Sequence, residues 1–317
     1  MDNFPRRAQC YVARSSLPTA RAVLCARTLE AARADVHNLR ASWPRHAGLR
    51  ACAATRSVGD HLSTRKPDNM LTVYTCGGPN PRKVTILLEE LRWPYESQLV
   101  DLYRGEHRAP AYLAVNPNGR LPAVVDDDGP DGRPLLVWES GAILQYLAEK
   151  AARFLPTHGA ARYEVLKWLN FQVAHAPYLG NAHLYRTMYR EAMPFDIKRF
   201  TIESRRIYQV LDDQLTISPF VAGAEYSIAD MAWYPWIEYH EWQGQDLADF
   251  PAITRWFDVL GQRPEVQRGS AIPWKYGEFG TSEVGAKFKA LIARRLEDPA
   301  FNLRATEADA ALNHIGI

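Results

Sequence analysis

Three short segments of this sequence carry residues that could hold a small peptide and activate a thiol. The first, at residues 77–81, reads Gly-Gly-Pro-Asn-Pro and joins a strand pattern to a helix pattern. The start of a helix has unpaired backbone N–H groups and a partial positive charge, so it attracts anions and lowers the pKa of a nearby thiol. Asn80 adds a side-chain amide that could donate to such a sulfur. The alternative is that Asn80 only caps the helix, with Pro81 in its first position.

The second segment, at residues 116–122, is a turn that ends in a proline just before a strand pattern. If the Leu121–Pro122 peptide bond were cis, the backbone of Leu121 would be exposed and could pair with a peptide-like ligand. The residues alone do not favour this conformation, because only about 5–6% of X–Pro bonds in folded proteins are cis.

The third segment is Glu139-Ser140, at the start of another helix pattern. The hydroxyl and N–H of Ser140, together with the helix dipole, could hold a carboxylate, and Glu139 could hold an ammonium group. Such a pair fits the head group of an α-amino acid. The alternative is an ordinary helix cap with an acidic residue in the first turn.

Hydrophobic periodicity places these segments in an α/β domain over residues 70–150. Alternating or β-branched runs predict strands at 71–75, 97–101, 121–125 and 134–138. Val84, Leu87, Leu88 and Leu91 recur at helical spacing and predict a helix after the first strand. A second helix begins with Ser140 as its expected cap, which gives the order βαβ-ββα.

Residues 160–268 are predicted to form an all-helical domain. Helices are expected over 161–189, with Pro177 as a break, over 195–217, and over 251–261, where Gly261 and Pro264 end the last one. Ser227 and Asp230 form a capping box that opens a further helix. Residues 269–317 form a tail with one helix expected near 282–296.

Composition excludes several classes of protein. The chain has 317 residues, of which 47% are hydrophobic and 23% charged, as in ordinary globular proteins. No apolar run approaches the ~18–20 residues that a membrane span needs, so no membrane partner is expected. The four cysteines form neither a disulfide framework nor a zinc-binding pattern. We therefore expect a reducing compartment and no metal.

The first 69 residues differ from the rest in charge. They contain eleven Arg and one Lys against five acidic residues, whereas the remaining chain is net acidic. This Arg/Ala-rich extension is either a transit peptide or an incorrectly assigned start, with Met70 as the true first residue. The expected location is cytoplasmic, or mitochondrial if residues 1–69 act as a transit peptide. No nucleic-acid-binding motif appears, so no nucleic-acid partner is expected.

The order of these segments resembles the glutathione transferase superfamily, and within it the nu-class and yeast prion-like branch, which includes bacterial disulfide-bond oxidoreductases and fungal homologues. The resemblance covers about residues 70–268. It implies a thioredoxin-like domain followed by an all-α domain, usually as a homodimer. The matching sequences are GPNPRKV at 78–84, VDL at 100–102, NPNGRLPA at 116–123, ESGAILQYLAEK at 139–150 and YSIAD at 226–230.

The resemblance also implies roles for individual residues around bound glutathione. Glu139 and Ser140 would hold the γ-glutamyl head, and the backbone of Leu121 would pair with the cysteinyl unit beside a cis Pro122. Asn80 would face the glutathione sulfur as the catalytic residue.

Further residues are implied at the edges of the ligand. Arg120 and His107 fall near the glycyl carboxylate. Arg199 aligns with a helical-domain arginine that approaches glutathione, although a solvated arginine on a charged helix fits it better. Ser227 and Asp230 match a structural cap.

Two departures from the branch bear on the chemistry. Gly78 stands where the branch often has Thr or Ser, so no hydroxyl assists the sulfur there. Cys76 lies two residues before the position of the nucleophile in cysteine-type classes, and we interpret it as a partly buried thiol at the strand end. Tyr74 is expected in the core. Aromatic residues near 178–189 and 233–242 could line an electrophile pocket.

The sequence therefore predicts a glutathione-dependent enzyme that activates the glutathione thiolate for disulfide reduction or for conjugation to a small electrophile. Two alternatives stay open: a non-catalytic glutathione-binding or scaffold module, and a cysteine-type deglutathionylase that uses Cys76.

Overall fold

The computed structural model describes residues 70–102, 104–187 and 194–273. The extension over 1–69 and the helix expected near 282–296 lie outside these residues. Among the residues it describes, no helix is both long enough and apolar enough to cross a membrane.

A four-stranded sheet forms the first half of the described chain. Its strands are β1 (Leu71–Thr75), β2 (Tyr95–Leu99), β3 (Ala123–Asp126) and β4 (Leu135–Trp138), in the spatial order β2-β1-β3-β4. β1 pairs in parallel with β2 and antiparallel with β3, and β3 pairs antiparallel with β4. Helices α1 (Pro79–Leu91), α2 (Pro110–Leu113) and α3 (Ser140–Ala151) complete this half. The expected βαβ-ββα order is confirmed.

Three strands differ in their bounds from the prediction, and β4 does so only in beginning at Leu135 rather than at residue 134. β2 runs over Tyr95–Leu99 rather than 97–101, because its register with β1 begins at the pair Leu71 and Tyr95. β2 is a half-exposed edge strand, so its sequence lacks clear alternation. β3 begins at Ala123 rather than at residue 121, since Pro122 has no N–H to donate to a ladder.

The start of α1 also differs from the prediction. Gly78, in an extended conformation, is the N-cap, and Pro79 takes the first helical position. Asn80 is therefore inside the first turn rather than at the cap. Pro81 is tolerated beside it because the first N–H groups of a helix have no intrahelical acceptor.

The second half of the chain is helical. It contains α4 (Ala160–Thr187), α5 (Pro194–Ile217), α6 (Ile228–Ile237), α7 (Pro251–Gly261) and α8 (Pro264–Ser270). Pro177 does not break α4, because the buried Ala176 and Leu179 beside it hold the helix against the core. The prediction missed α8, since Pro264 opens that helix instead of only ending the one before it.

The capping box at the start of α6 is confirmed. The Asp230 carboxylate accepts from the backbone N–H groups of Ser227 and Val221 and from the indole of Trp256. It is fully buried, so these donors offset the cost of removing the carboxylate from water.

One apolar core joins the two halves. α1 packs against α6 and α8, and buried residues of both halves form a single cluster. Gly269 of α8 lies so close to α1 that a Cβ there would be 2.5 Å from the Ile86 Cα. Thr85 Oγ1 donates to the Gly269 carbonyl at 2.7 Å, and Arg263 makes two bonds to the Glu90 carboxylate. The division into domains at 70–150 and 160–268 stays a prediction.

Candidate functional site

The three segments singled out in the sequence meet around one cavity of about 140 Å³. It opens where β1 and β4 end, where β3 begins and where α1 and α3 begin. Its lining consists of Asn80, Asn116, Asn118, Arg120, Leu121, Pro122, Glu139 and Ser140.

Asn80 supplies the hydrogen-bond donors at the α1 end of this cavity. Pro79 and Pro81 have no N–H, and the Gly78 N–H is directed to the Cys76 sulfur. Of the N–H groups that a helix start leaves unpaired, the one at Asn80 therefore remains, together with its side-chain amide.

Trp236 of α6 fixes the orientation of the Asn80 amide. The Trp236 indole Nε1 lies 3.1 Å from Asn80 Oδ1. An indole N–H can only donate, so the amide oxygen must face Trp236 and the amide nitrogen must face away from it. The side chain of Trp236 is fully buried, which makes this partner rigid. Sequence reasoning missed Trp236 because it belongs to the other half of the chain.

Two further contacts hold the start of α1 and the loop before it. Both come from residues just after α6. The Tyr239 hydroxyl donates to the Gly77 carbonyl at 3.0 Å. The guanidinium of Arg82 is 3.3 Å from the Glu238 carboxylate and 5.8 Å from the centre of the Tyr239 ring. Both Arg82 and Glu238 are largely withdrawn from solvent, so removing either one would leave the other as an uncompensated buried charge.

The turn over 116–122 presents the backbone of Leu121. Gly119 adopts a φ of +62°, which favours glycine, and the Arg120 carbonyl accepts from Tyr112 Oη at 2.6 Å and from Asn116 Nδ2 at 2.7 Å. The Leu121–Pro122 bond is cis, as the resemblance implies. No hydrogen bond within the described residues uses the backbone N–H or carbonyl of Leu121, so these groups are available to a ligand.

Glu139 and Ser140 stand at the start of α3. Glu139 is the N-cap and has φ 74° and ψ 118°, a conformation that a non-glycine residue rarely adopts. Ser140 is the first helical residue rather than the cap, and it is buried at the base of the cavity. No side chain caps this helix. Its first N–H groups therefore remain available to an anion beside the Ser140 hydroxyl.

Lys83 lies behind Ser140 and was missed in the sequence. Its side chain is 1% exposed, and Nζ donates to Ser140 Oγ at 3.4 Å and to Gln172 Oε1 of α4 at 2.5 Å. Burial lowers the pKa of Lys83 to about 7, and Glu139 opposes that effect. A signal was present, because Lys83 precedes Leu87 by four residues and so shares the buried face of α1.

Cys76 is poorly suited to act as a nucleophile. Its side chain is 4% exposed, and burial raises the pKa of its thiol to about 11 despite the Gly78 N–H. It is therefore a protonated thiol at neutral pH, which agrees with its interpretation as a buried residue at the strand end. Tyr74 is likewise buried and packs edge-on against Tyr112.

Two of the expected ligand-binding residues do not line the cavity. His107 is completely buried in a 3₁₀ turn over Glu106–Arg108, and burial together with Arg108 and Arg120 lowers its pKa to about 4. It is neutral and inaccessible, so it does not bind a carboxylate directly. Arg199 is exposed on α5 and is absent from the lining, which fits the solvated alternative.

A second and more open cavity, of about 370 Å³, is lined by Arg186, Ile197, Glu241 and Trp242. Trp242 packs against His183 and Tyr239, and Tyr239 also contacts the Gly77 loop. Trp242, one of the aromatic residues expected to line a pocket, therefore lines this opening. Over the described ranges, no cluster of His, Cys, Asp or Glu side chains could hold a metal ion.

Comparison with protein families gives two matches. Residues 77–150 match the model of the glutathione S-transferase N-terminal domain, and residues 198–264 match that of the C-terminal domain.

Individual proteins resemble the chain over most of their own length. The disulfide-bond oxidoreductase YfcG of Escherichia coli is 40% identical over 197 residues, which is 62% of this chain and 92% of that protein. A glutathione transferase family member from Pseudomonas fluorescens, crystallised with two glutathione molecules, is 36% identical with a TM-score of 0.60, over 63% of this chain and 91% of that one. The glutathione transferase URE2P6 of Phanerochaete chrysosporium, in complex with oxidised glutathione, is 38% identical with a TM-score of 0.59, over 63% and 94%.

Proposed function

This chain belongs to the glutathione S-transferase family, and we propose that it is an enzyme that binds glutathione in the cavity between α1 and α3 and uses its thiolate to reduce disulfides. The observation that carries this proposal is the oriented amide of Asn80. This amide lies at a helix start, in the same cavity as Glu139 and Ser140, which suit an amino-acid head group. The nearby protein thiol, Cys76, is buried and protonated.

The chemistry of the cavity supports a defined orientation of glutathione. The α-carboxylate of the γ-glutamyl unit meets the Ser140 hydroxyl and the N-terminal N–H groups of α3, and its ammonium group meets Glu139. The cysteinyl unit pairs with the free backbone groups of Leu121. This leaves the sulfur beside Asn80, while Arg120 is the cation available to the glycyl carboxylate.

Two donors then stabilise the thiolate. The side-chain amide of Asn80 and its backbone N–H favour the charged form of the sulfur, which lowers the thiol pKa and raises the fraction of nucleophile at neutral pH. Removing one such preorganised donor typically costs about 10²–10³ in rate.

The reaction consists of two thiol–disulfide exchanges. The bound thiolate attacks one sulfur of the substrate disulfide, forms a mixed disulfide and releases the other sulfur as a thiolate that takes a proton from water. A second glutathione thiolate then attacks the glutathione sulfur of the mixed disulfide. Oxidised glutathione and the second substrate thiol leave, so two electrons pass from two glutathione molecules to one disulfide.

The relatives support this choice over conjugation. YfcG is named a disulfide-bond oxidoreductase, the Pseudomonas protein holds two glutathione molecules and the Phanerochaete protein holds oxidised glutathione. These are the reductant and the product of the proposed cycle.

The test is the glutathione-dependent reduction of a small disulfide by the full chain, with Asn80→Ala and Cys76→Ser as matched variants. We expect Asn80→Ala to lose about 10²–10³ in kcat/KM and Cys76→Ser to stay within two-fold of the wild type. A dead Cys76→Ser variant would replace this mechanism with the cysteine-type one. Activity only with an electrophile would indicate conjugation, and glutathione binding without any turnover would indicate a binding module.

The assembly and the compartment of the protein stay predictions. We propose a homodimer, for which light scattering coupled to size exclusion is the check. We also propose a cytoplasmic location, or a mitochondrial one if residues 1–69 direct import, and a fluorescent fusion of the full chain distinguishes the two.

A further inference from the structure

A buried lysine lies directly behind the residue that receives the ligand carboxylate. Lys83 Nζ donates to Ser140 Oγ, which belongs to the cavity lining, while Lys83 itself does not reach the cavity. Its other recorded acceptor is Gln172 Oε1, from the helical half of the chain. Its ammonium group also lies 5.8 Å from the centre of the Trp236 ring.

The protonation state of Lys83 decides where the Ser140 hydrogen points. An ammonium group has three donors and no acceptor, so a charged Lys83 can only donate to Ser140 Oγ. The hydroxyl hydrogen of Ser140 is then free to point into the cavity and donate to a carboxylate. A neutral amine has a lone pair, so it can accept that hydrogen and turn it away from the ligand.

We propose that Lys83 is a positioning residue that must be protonated for Ser140 to bind the α-carboxylate of glutathione, so that ligand binding takes up a proton. This inference rests on the proposed function, because it assumes that glutathione places its carboxylate at Ser140. It adds to that function a proton that couples binding to pH.

The electrostatic surroundings of Lys83 make this coupling strong near neutrality. The pKa of Lys83, lowered to about 7 by burial, leaves about half of the molecules protonated at pH 7. A carboxylate that accepts the Ser140 hydrogen favours the charged lysine, because the hydroxyl oxygen is then left to accept from the ammonium group. Binding and protonation therefore support each other.

Few other charged or titratable groups of the described chain face Lys83. From α3, Glu139 favours its charged form. On its own helix Arg82 is paired with Glu238, which follows α6. On α4, His175 follows Gln172 by one turn, but its ring packs against Phe171 and Tyr178 and its Nδ1 is 2.8 Å from the Phe171 carbonyl.

The test measures binding of S-methylglutathione to the full chain by titration calorimetry at pH 6, 7 and 8. This ligand has no thiol, so ionisation of the glutathione sulfur does not contribute. If only protein with a charged Lys83 binds well, a pKa of about 7 makes the Kd rise about ten-fold from pH 6 to pH 8. At pH 7, buffers of different ionisation enthalpy should report uptake of about half a proton for each ligand bound.

Three variants separate positioning from a merely structural role. Lys83→Arg keeps a permanent charge, so its Kd should change little with pH, and any dependence that remains belongs to the ligand amino group. Lys83→Met and Ser140→Ala should both bind weakly without the pH dependence of the wild type. Because Lys83 acts through Ser140, the double variant should bind no more weakly than Ser140→Ala alone.

The outcomes distinguish this inference from the proposed function. A wild type that binds with a Kd independent of pH, or fully additive effects of the two single variants, overturns the role of Lys83 only. A wild type that does not bind S-methylglutathione at any pH overturns the proposed function and this inference with it. The Ser140→Ala arm keeps the test decisive even if Arg cannot be accommodated at position 83.

Discussion

The hydrogen bond from Trp236 to Asn80 predicts how activity should respond when a buried indole loses its nitrogen. In Trp236→Phe the aromatic packing is largely kept, but the donor to Asn80 Oδ1 is removed. The Asn80 amide can then rotate, and in half of its orientations it presents an oxygen rather than an N–H to the glutathione sulfur. Oxygen would repel the thiolate that the site must stabilise.

The size of the effect follows from the bond that is lost. A typical hydrogen bond contributes about 0.5–1.5 kcal/mol, which corresponds to a loss of about two- to twelve-fold in kcat/KM. This is well below the loss of about 10²–10³ expected for Asn80→Ala, which removes the donor itself. The expected order of activity is therefore wild type, then Trp236→Phe, then Asn80→Ala.

Trp233 provides a matched control on the same helix. It is equally buried, and within the described part of the chain its indole nitrogen has no hydrogen-bond partner. Trp233→Phe therefore changes packing by the same amount without releasing Asn80, and its kcat/KM should equal that of the wild type. The assay is steady-state disulfide reduction, accompanied by the ultraviolet absorbance of the bound thiolate as a function of pH.

Two results would refute this reasoning. Equal losses in Trp236→Phe and Trp233→Phe would mean that general loosening of α6, rather than the indole bond, lowers activity. An unchanged thiol pKa in Trp236→Phe, together with reduced activity, would mean that the bond does not act on the sulfur.

Three other predictions concern stability and binding. Glu139→Gly should relieve a backbone conformation that costs about 1–3 kcal/mol, so it should raise Tm while it weakens glutathione binding. Glu139→Gln should weaken binding with no gain in Tm. A lower Tm for the glycine variant would contradict the strain. Gly269→Ala should lower the free energy of unfolding by about 1–3 kcal/mol, because the added Cβ would meet the backbone of Ile86. The measurement is the midpoint of unfolding in urea, and an unchanged midpoint would contradict the close packing. Between pH 7 and 10.5, Lys83 binds fewer protons in the folded chain than in the unfolded chain, so the free energy of unfolding of the wild type should rise across that window. Lys83→Met should be more stable than the wild type near pH 6 by a few kcal/mol and should lack that rise. Equal pH slopes in the two proteins would contradict the buried charge.

Local sequence patterns were sufficient to predict the parts of the fold that depend on neighbouring residues. β1 and the capping box at Ser227 follow from alternation and from a short polar motif, and both are observed as expected. The start of α1 was placed two residues late, because Gly-Pro-Asn-Pro offers two acceptable caps and only tertiary packing decides between them. The short α8 was missed for the same reason, since its first residue is also a helix terminator.

The candidate site was predictable where a motif is continuous in the chain and not where it depends on another element. Asn80, Leu121 and Ser140 were singled out from local patterns, and they line one cavity. Trp236 and Lys83 were not, because their partners lie far away in sequence or on another helix and their residue types suggest core packing and a solvated charge. The resemblance implied that His107 lies near the glycyl carboxylate, whereas its side chain is buried and is absent from the cavity lining.

The second half of the chain makes contacts around Asn80 that limit how this protein can vary. They come from Trp236, Glu238 and Tyr239. In the proposed site the ligand head group is held by the first half of the chain, but the orientation of the Asn80 amide is set from the second half. Recombination that joins the first half of one relative to the second half of another would therefore preserve the binding of glutathione and weaken the activation of its thiol, unless the residue at position 236 can still donate. The two halves must change together, and a chimaera with a non-donating residue there should bind glutathione as before but lose about two- to twelve-fold in kcat/KM.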